Sequence, residues 1–228
     1  MLPQFDLHQI LLMIVPLVFA VTVHEVAHGY AALKMGDDTA RLAGRLTLNP
    51  IKHLDPVGSL LLPIILKLTG SPVLFGYARP VPVVPANFRD LRTGTLIVSA
   101  AGVTANVLLL LVSWIAFRAL AAAAPSLYDT WARPAMIDAL KLCGYSIVIN
   151  AVLAVFNLIP VPPLDGSRLL AMVLPAGLRS AFQRLERFGM LLIIALLLTG
   201  VIDQVLRFTI LPLLQTALGA QGIAFLFG

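Results

Sequence analysis

The 228-residue sequence has a single cysteine, Cys143, so it can form neither an intrachain disulfide nor a cysteine-based zinc site, and the residue reads as packing in an apolar helix. Charge is equally scarce. Only 12% of residues are Asp, Glu, Lys or Arg, about half the fraction usual in soluble domains. The formal net charge is +5, yet the basic residues are not interleaved with exposed aromatics and instead cluster between apolar segments. Nucleic-acid binding is therefore not expected, and the basic clusters report membrane topology. The sequence contains no separate soluble domain, tag or internal repeat. Its N-terminal apolar run lacks a basic start and is too long for a signal peptide, so it is expected to be retained.

What is abundant is apolar surface. Hydrophobic residues make up 59% of the chain and the mean hydropathy is +0.95, which identifies an integral membrane protein embedded in a lipid bilayer. At roughly 20 residues per crossing, this length suffices for about five or six spanning segments. The expected fold is an all-α polytopic membrane protein. It has about five or six transmembrane or re-entrant helices and a small β-hairpin or extended membrane-associated segment, with residues 1–228 forming a single domain.

The first helix is expected from about Leu7 to Lys34, ending near Gly36, with Asp37 and Asp38 opening a loop. Leu42, Gly44, Leu46 and Leu48 alternate with Arg45 and Thr47, a period of two that predicts a strand bounded by Asn49-Pro50. Val57 to Leu68 is too short to cross comfortably and contains Pro63, which fits a re-entrant helix. Pro80, Pro82 and Pro85 favour an extended path over Phe75 to Phe88. Long spans follow at about Thr95 to Ala123 and Ile137 to Ile159. A proline-rich break precedes Leu164-Asp165-Gly166, and a short amphipathic helix is expected over Ser167 to Leu174. The apolar tail, Phe188 to Phe227, is either two short helices or one long tilted one. Basic residues crowd the loops before the first of these long spans and after Asp165, whereas the loop between the spans has only Arg118 and Arg133. The positive-inside rule thus puts the ends bearing His28 and Asp165 on the cytoplasmic side.

Inside the first apolar run stands His24-Glu25-Val26-Ala27-His28. Ionisable groups at bilayer depth are costly unless something requires them. On a helix the two histidines, at i and i+4, project from one face and can share a Zn²⁺, while Glu25 is placed to act as acid/base on water. The spacing supplies two ligands and a base, one zinc per chain. A tetrahedral catalytic zinc needs a third protein ligand, and Asp165, at an irregular break between apolar segments, is the best candidate. The alternative for Asp165 is a helix N-cap ahead of Ser167-Arg168-Leu169-Leu170.

The pairing of His24-Glu25-Val26-Ala27-His28 with Asn157-Leu158-Ile159-Pro160-Val161-Pro162-Pro163-Leu164-Asp165-Gly166 resembles the site-2 protease family of intramembrane zinc metalloproteases. Gly44-Arg45-Leu46-Thr47-Leu48-Asn49-Pro50 and Asp55-Pro56-Val57-Gly58 resemble its short branch, which lacks PDZ and CBS domains. The resemblance implies that His24, His28 and Asp165 bind zinc and that Glu25 is the catalytic acid/base. It also implies that the substrate is a transmembrane protein or peptide cut within or near the bilayer. The family's glycine-to-asparagine motif appears here as Gly102-Val103-Thr104-Ala105-Asn106, with Val103 where relatives commonly have proline.

Asn106 and Asn157 are candidate catalytic supports, as donors to the oxyanion or guides for the substrate backbone; the alternative for each is bridging helices. A helical substrate must unwind to expose its peptide bonds, and either Arg45 to Leu48 or Val81 to Val84 can add it as a strand; the alternative is a purely structural hairpin. His53 reads as a surface or hydrogen-bonded residue. Asp203 and Arg207, at i and i+4, either pair or line a polar connection. Two rival functions remain open: an ion or solute transporter using the buried His, Glu and Asp, and an inactive zinc-binding membrane scaffold. The transporter predicts two similar halves with broken helices, which this sequence lacks. A homo-oligomer is left open.

Overall fold

The apolar run of the first segment folds as helix α1, Leu7–Met35, which tolerates Pro16 in its interior. It stops where Gly36 turns into the left-handed region at φ 110°, with the amides of Gly36 and Asp37 bonding back to Leu33 and Ala32. The computed structural model describes residues 7–61, 77–127 and 129–227. The chain continues through a short turn α2, Thr39–Leu42, a 3-10 turn over Pro50–Lys52 capped by the Asn49 side chain, and a π-helical turn over Pro56–Leu61. Residues 77–84 then run without regular secondary structure, Val84 being extended, into a second 3-10 turn, Pro85–Asn87.

Two long helices follow, α3 at Leu91–Leu127 and α4 at Arg133–Leu158. After the proline break come α5, Asp165–Val173, α6, Ala176–Arg184, and α7, Gly189–Leu198. The last is α8, Val201–Phe227, which is kinked at Gly219. Among the described residues four helices, α1, α3, α4 and α8, are long and apolar enough to cross a membrane. α3 is central and packs on α1, α4 and α5, while α8 packs on α4. The main core joins Leu140, Tyr145, Ile147 and Ala151 of α4 to Ile210, Leu214, Leu218 and Leu226 of α8, closed by Leu12 and Phe117. Trp114 fastens α3 to α8 by donating to the Ala217 carbonyl at 3.0 Å. Outward-facing apolar side chains such as Val15, Val112, Ile115 and Phe208 form the lipid-facing surface.

The spans match the hydropathy pattern closely, and the tail resolves into two helices parted at Gly200, φ 73°. The strand expected around Leu42–Leu48 does not form: no β-strand occurs among the described residues. Gly44 takes φ 62°, and the Gly44 and Arg45 amides turn back to the Arg41 and Ala40 carbonyls instead of to a partner strand. Arg45 Nη2 donates to the Arg79 carbonyl at 2.7 Å, and His53 Nε2 donates to the Thr47 carbonyl at 2.8 Å. The re-entrant segment expected over Val57–Leu68 lies largely outside the described residues, as does the start of the extended stretch at Phe75.

Candidate metal centre

His24 and His28 lie one turn apart on α1, facing α3, and Gly102 of α3 lets the two helices approach. A Cβ placed on Gly102 would stand 2.5 Å from His24 Cε1 and from His28 Nε2. The third residue arrives from far along the chain. The proline-rich break turns the chain so that Asp165, the first residue of α5, enters the core beside them. Gly166 makes that turn possible, because any Cβ there would collide with the Leu158 carbonyl. His24, Asp165 and their surroundings are buried.

The hydrogen bonds fix the protonation of both imidazoles. Asn150 Nδ2 lies 2.9 Å from the Ser146 carbonyl, which can only accept, so Asn150 Oδ1 must be the atom facing Asn106. Asn106 Nδ2 therefore donates to it at 2.9 Å, which leaves Asn106 Oδ1 to accept from His24 Nδ1 at 2.6 Å. His28 Nδ1 likewise donates to the Val98 carbonyl at 2.7 Å. In the neutral rings both Nε2 atoms then carry lone pairs, and these face each other at 3.0 Å. Asp165 Oδ2 stands 3.4 Å from one and 3.2 Å from the other, buried and with no hydrogen-bond partner.

Three lone-pair atoms gathered without a proton between them repel unless a cation joins them. A tetrahedral zinc with bonds of about 2.0–2.1 Å has ligand-to-ligand edges of roughly 3.3–3.4 Å, close to the spacing found. The donors fit the ion, and their Nδ1–H anchors are the outer hydrogen bonds that orient metal-binding histidines. His24, His28 and Asp165 form the one group of this kind among the described residues.

Glu25 stands on the same turn but outside the triad, its Oε2 accepting from the Val81 amide at 2.7 Å. Asn106 is fully buried, with its oxygen and its amide nitrogen engaged as described. Asn157 is half-buried, and its Nδ2 donates to Leu153 one turn back on its own helix at 3.0 Å. His53 is buried away from the triad on the Thr47 carbonyl. Asp203 pairs with Arg207 at 2.7 Å on an exposed face. Sequence reasoning missed Asn150, although an asparagine inside an apolar span was a signal. It also missed the Val98 carbonyl and Val81 amide, for which backbone groups give no signal.

A helical membrane protein with two histidines and a carboxylate converging in its core, and a glutamate beside them, belongs to the class of membrane-embedded metal-dependent hydrolases. Within that class, the sequence profile of Peptidase family M50 matches residues 12–200, and the chain belongs to that family. It is a zinc-dependent intramembrane protease of the site-2 type. YwhC of Bacillus subtilis (strain 168), named as a candidate zinc metalloprotease, is 36% identical over 187 residues, covering 82% of this chain and 80% of the relative. Rip2 of Mycolicibacterium smegmatis, named likewise, is 27% identical over 194 residues, 85% of this chain and 69% of the relative. Rip2 of Mycobacterium tuberculosis (strain H37Rv) is 29% identical over 189 residues, 81% of this chain and 65% of the relative. No solved structure matches the chain significantly.

Proposed function

We propose that residues 1–228 act as a single domain in which His24, His28 and Asp165 hold one Zn²⁺ and Glu25 is the acid/base, cutting transmembrane segments of membrane proteins within or near the bilayer. The observation that carries this reading is the orphaned Asp165 Oδ2 beside two imidazole lone pairs, with a carboxylate on the adjacent turn. When bound, the zinc supplies Lewis-acid polarisation of the scissile carbonyl and a water made acidic enough to attack near neutral pH.

The chain's own groups do the rest. The Val81 amide engages only Glu25 Oε2, so Oε1 remains to take a proton from the attacking water and to return it to the departing amide nitrogen. Asn106 acts as a positioning residue, holding His24 through Oδ1. Asn157 keeps one N–H beyond its bond to Leu153, and we assign it to the substrate carbonyl as charge develops there. The charge bias of the loops favours a cytoplasmic-side site, and the bacterial relatives favour a prokaryotic cell membrane. A homo-oligomer is compatible with the exposed apolar helix faces. The transporter reading is disfavoured by a triad whose donors suit a resident ion.

The test is zinc content and cleavage of a panel of transmembrane peptides by purified wild type, Glu25→Gln and Asp165→Ala. Wild type is expected to hold about one zinc, as a set of three protein ligands with an open fourth position requires. Glu25→Gln should keep the metal and lose about 10²–10⁴-fold in turnover, while Asp165→Ala should lose metal affinity. Undiminished cleavage by Glu25→Gln would overturn the mechanism. Zinc bound without any cleavage by wild type would favour the scaffold.

A further inference from the structure

Next to the His28 side of the metal centre lies a cavity of about 460 Å³, walled by Val83, Phe88, Val98, Ala171, Met172 and Phe182. It falls within the size range of small-ligand sites and far exceeds an ordinary packing void. Two of its residues tie it to the triad. Val98 gives its carbonyl to His28, and Ser167, two residues along α5 from Asp165, also lines it. The mouth is marked by Arg168 and Glu186, about half exposed and 3.5 Å apart.

The segment that forms one wall has most of its backbone donors committed. Pro80 and Pro82 have no amide N–H, the Tyr77 and Arg79 amides donate to the Gly58 and His53 carbonyls, and that of Val84 donates to Asp37 Oδ2 at 2.7 Å. Val81 turns its amide to Glu25, and among the described residues no hydrogen bond engages the Val83 amide. The Val83 amide thus lies two residues from the amide that holds Glu25, and Val83 itself lines the cavity.

We propose that this cavity is a specificity subsite that receives one large aliphatic or aromatic side chain of the substrate, from a residue within a few positions of the scissile bond, while the substrate backbone accepts from the Val83 amide. The proposal rests on the proteolytic reading of the metal centre. It follows the general logic of strand addition, in which backbone bonds hold the peptide and a pocket for an alternate side chain selects it. Ala171 and Met172 set the depth of the pocket, both being buried in its wall.

The experiment uses the full chain in lipid, with zinc, and transmembrane peptides that differ only by Ala, Leu or Phe at each position around the cut. Wild type is expected to favour Leu or Phe over Ala at one position by roughly 10–200-fold in kcat/KM. Ala171→Phe, which fills the cavity, should reduce that ratio at least tenfold. Met172→Ala, which deepens it, should shift the preference from Leu towards Phe and keeps the test intact if the first variant fails to fold. If wild type cleaves but neither variant alters the side-chain preference, the subsite is refuted and the protease reading stands. If zinc-loaded wild type cleaves no peptide of the panel, both fall.

Discussion

Replacing Gly102 with alanine should separate metal binding from folding. The added Cβ would sit 2.5 Å from His24 Cε1, 2.5 Å from His28 Nε2 and 2.7 Å from His24 Nε2, against an ordinary carbon contact of about 3.5 Å or more. The atoms in the way are the far ends of two side chains, so the rings can swing aside by about 1 Å and the fold should lose less than about 1 kcal/mol in the absence of metal. Ligand positions, by contrast, tolerate only about 0.2 Å. The displaced rings should weaken zinc binding by about 100-fold, the upper end of what changes around metal ligands cause, equivalent to about 2.7 kcal/mol of lost zinc-dependent stabilisation. For a chain of this size that corresponds to roughly 5–10 °C of Tm. The assay is thermal unfolding of the solubilised protein with and without saturating zinc, paired with competition against a chelator. Gly177→Ala, where a Cβ meets nothing within 4 Å, is the control. If Gly102→Ala binds zinc within about threefold of wild type, a difference well under 1 kcal/mol, the argument from close helix approach is wrong.

Asn150→Leu strands the Asn106 amide and frees the His24 ring to turn; chelator competition should show zinc affinity lower by about 10–100-fold, with Asn150→Gln recovering part of it. Asp37 offers a pH signature. Burial would raise its carboxyl pKa, but hydrogen bonds from the Thr39 hydroxyl, the Val84 amide, the Asn87 side chain and the Thr39 amide outweigh that and hold it below the usual carboxylate range. Because the folded value is depressed, its stabilisation is complete above the unfolded value of about 3.9 and is lost as pH falls through the lower, folded value. Asp37→Asn should cost about 1.5–3 kcal/mol at neutral pH, the worth of a charged hydrogen bond, and flatten acid unfolding below about pH 4. A variant whose acid profile tracks wild type would refute the role of Asp37.

The contrast between His28 and Leu46 shows what sequence pattern can and cannot reach. The spacing of His24 and His28 gave their common face directly, because helical periodicity is a local property of the chain. The alternation around Leu46 is equally regular, yet a strand needs a partner edge. The chain instead satisfies those groups on the Arg41 and Ala40 carbonyls of the preceding turn and through the Lys52 and His53 side chains, a choice no local pattern records. Asn106 was visible as a polar residue in an apolar span. That both ends of its amide are committed, to His24 and to Asn150, depends on how α3 and α4 face each other.

By itself the sequence determined that the chain lives in a membrane, where its long helices run, and that one of them carries two imidazoles and a carboxylate on neighbouring positions. These follow from composition and from the period of a single helix. The tertiary structure decided that Asp165 completes the triad, that Asn150 and Val98 set the histidine tautomers, and that a cavity opens beside the site. Each of those depends on distances between helices far apart in the chain, and such distances are set by which side chains, and which glycines, let the helices touch.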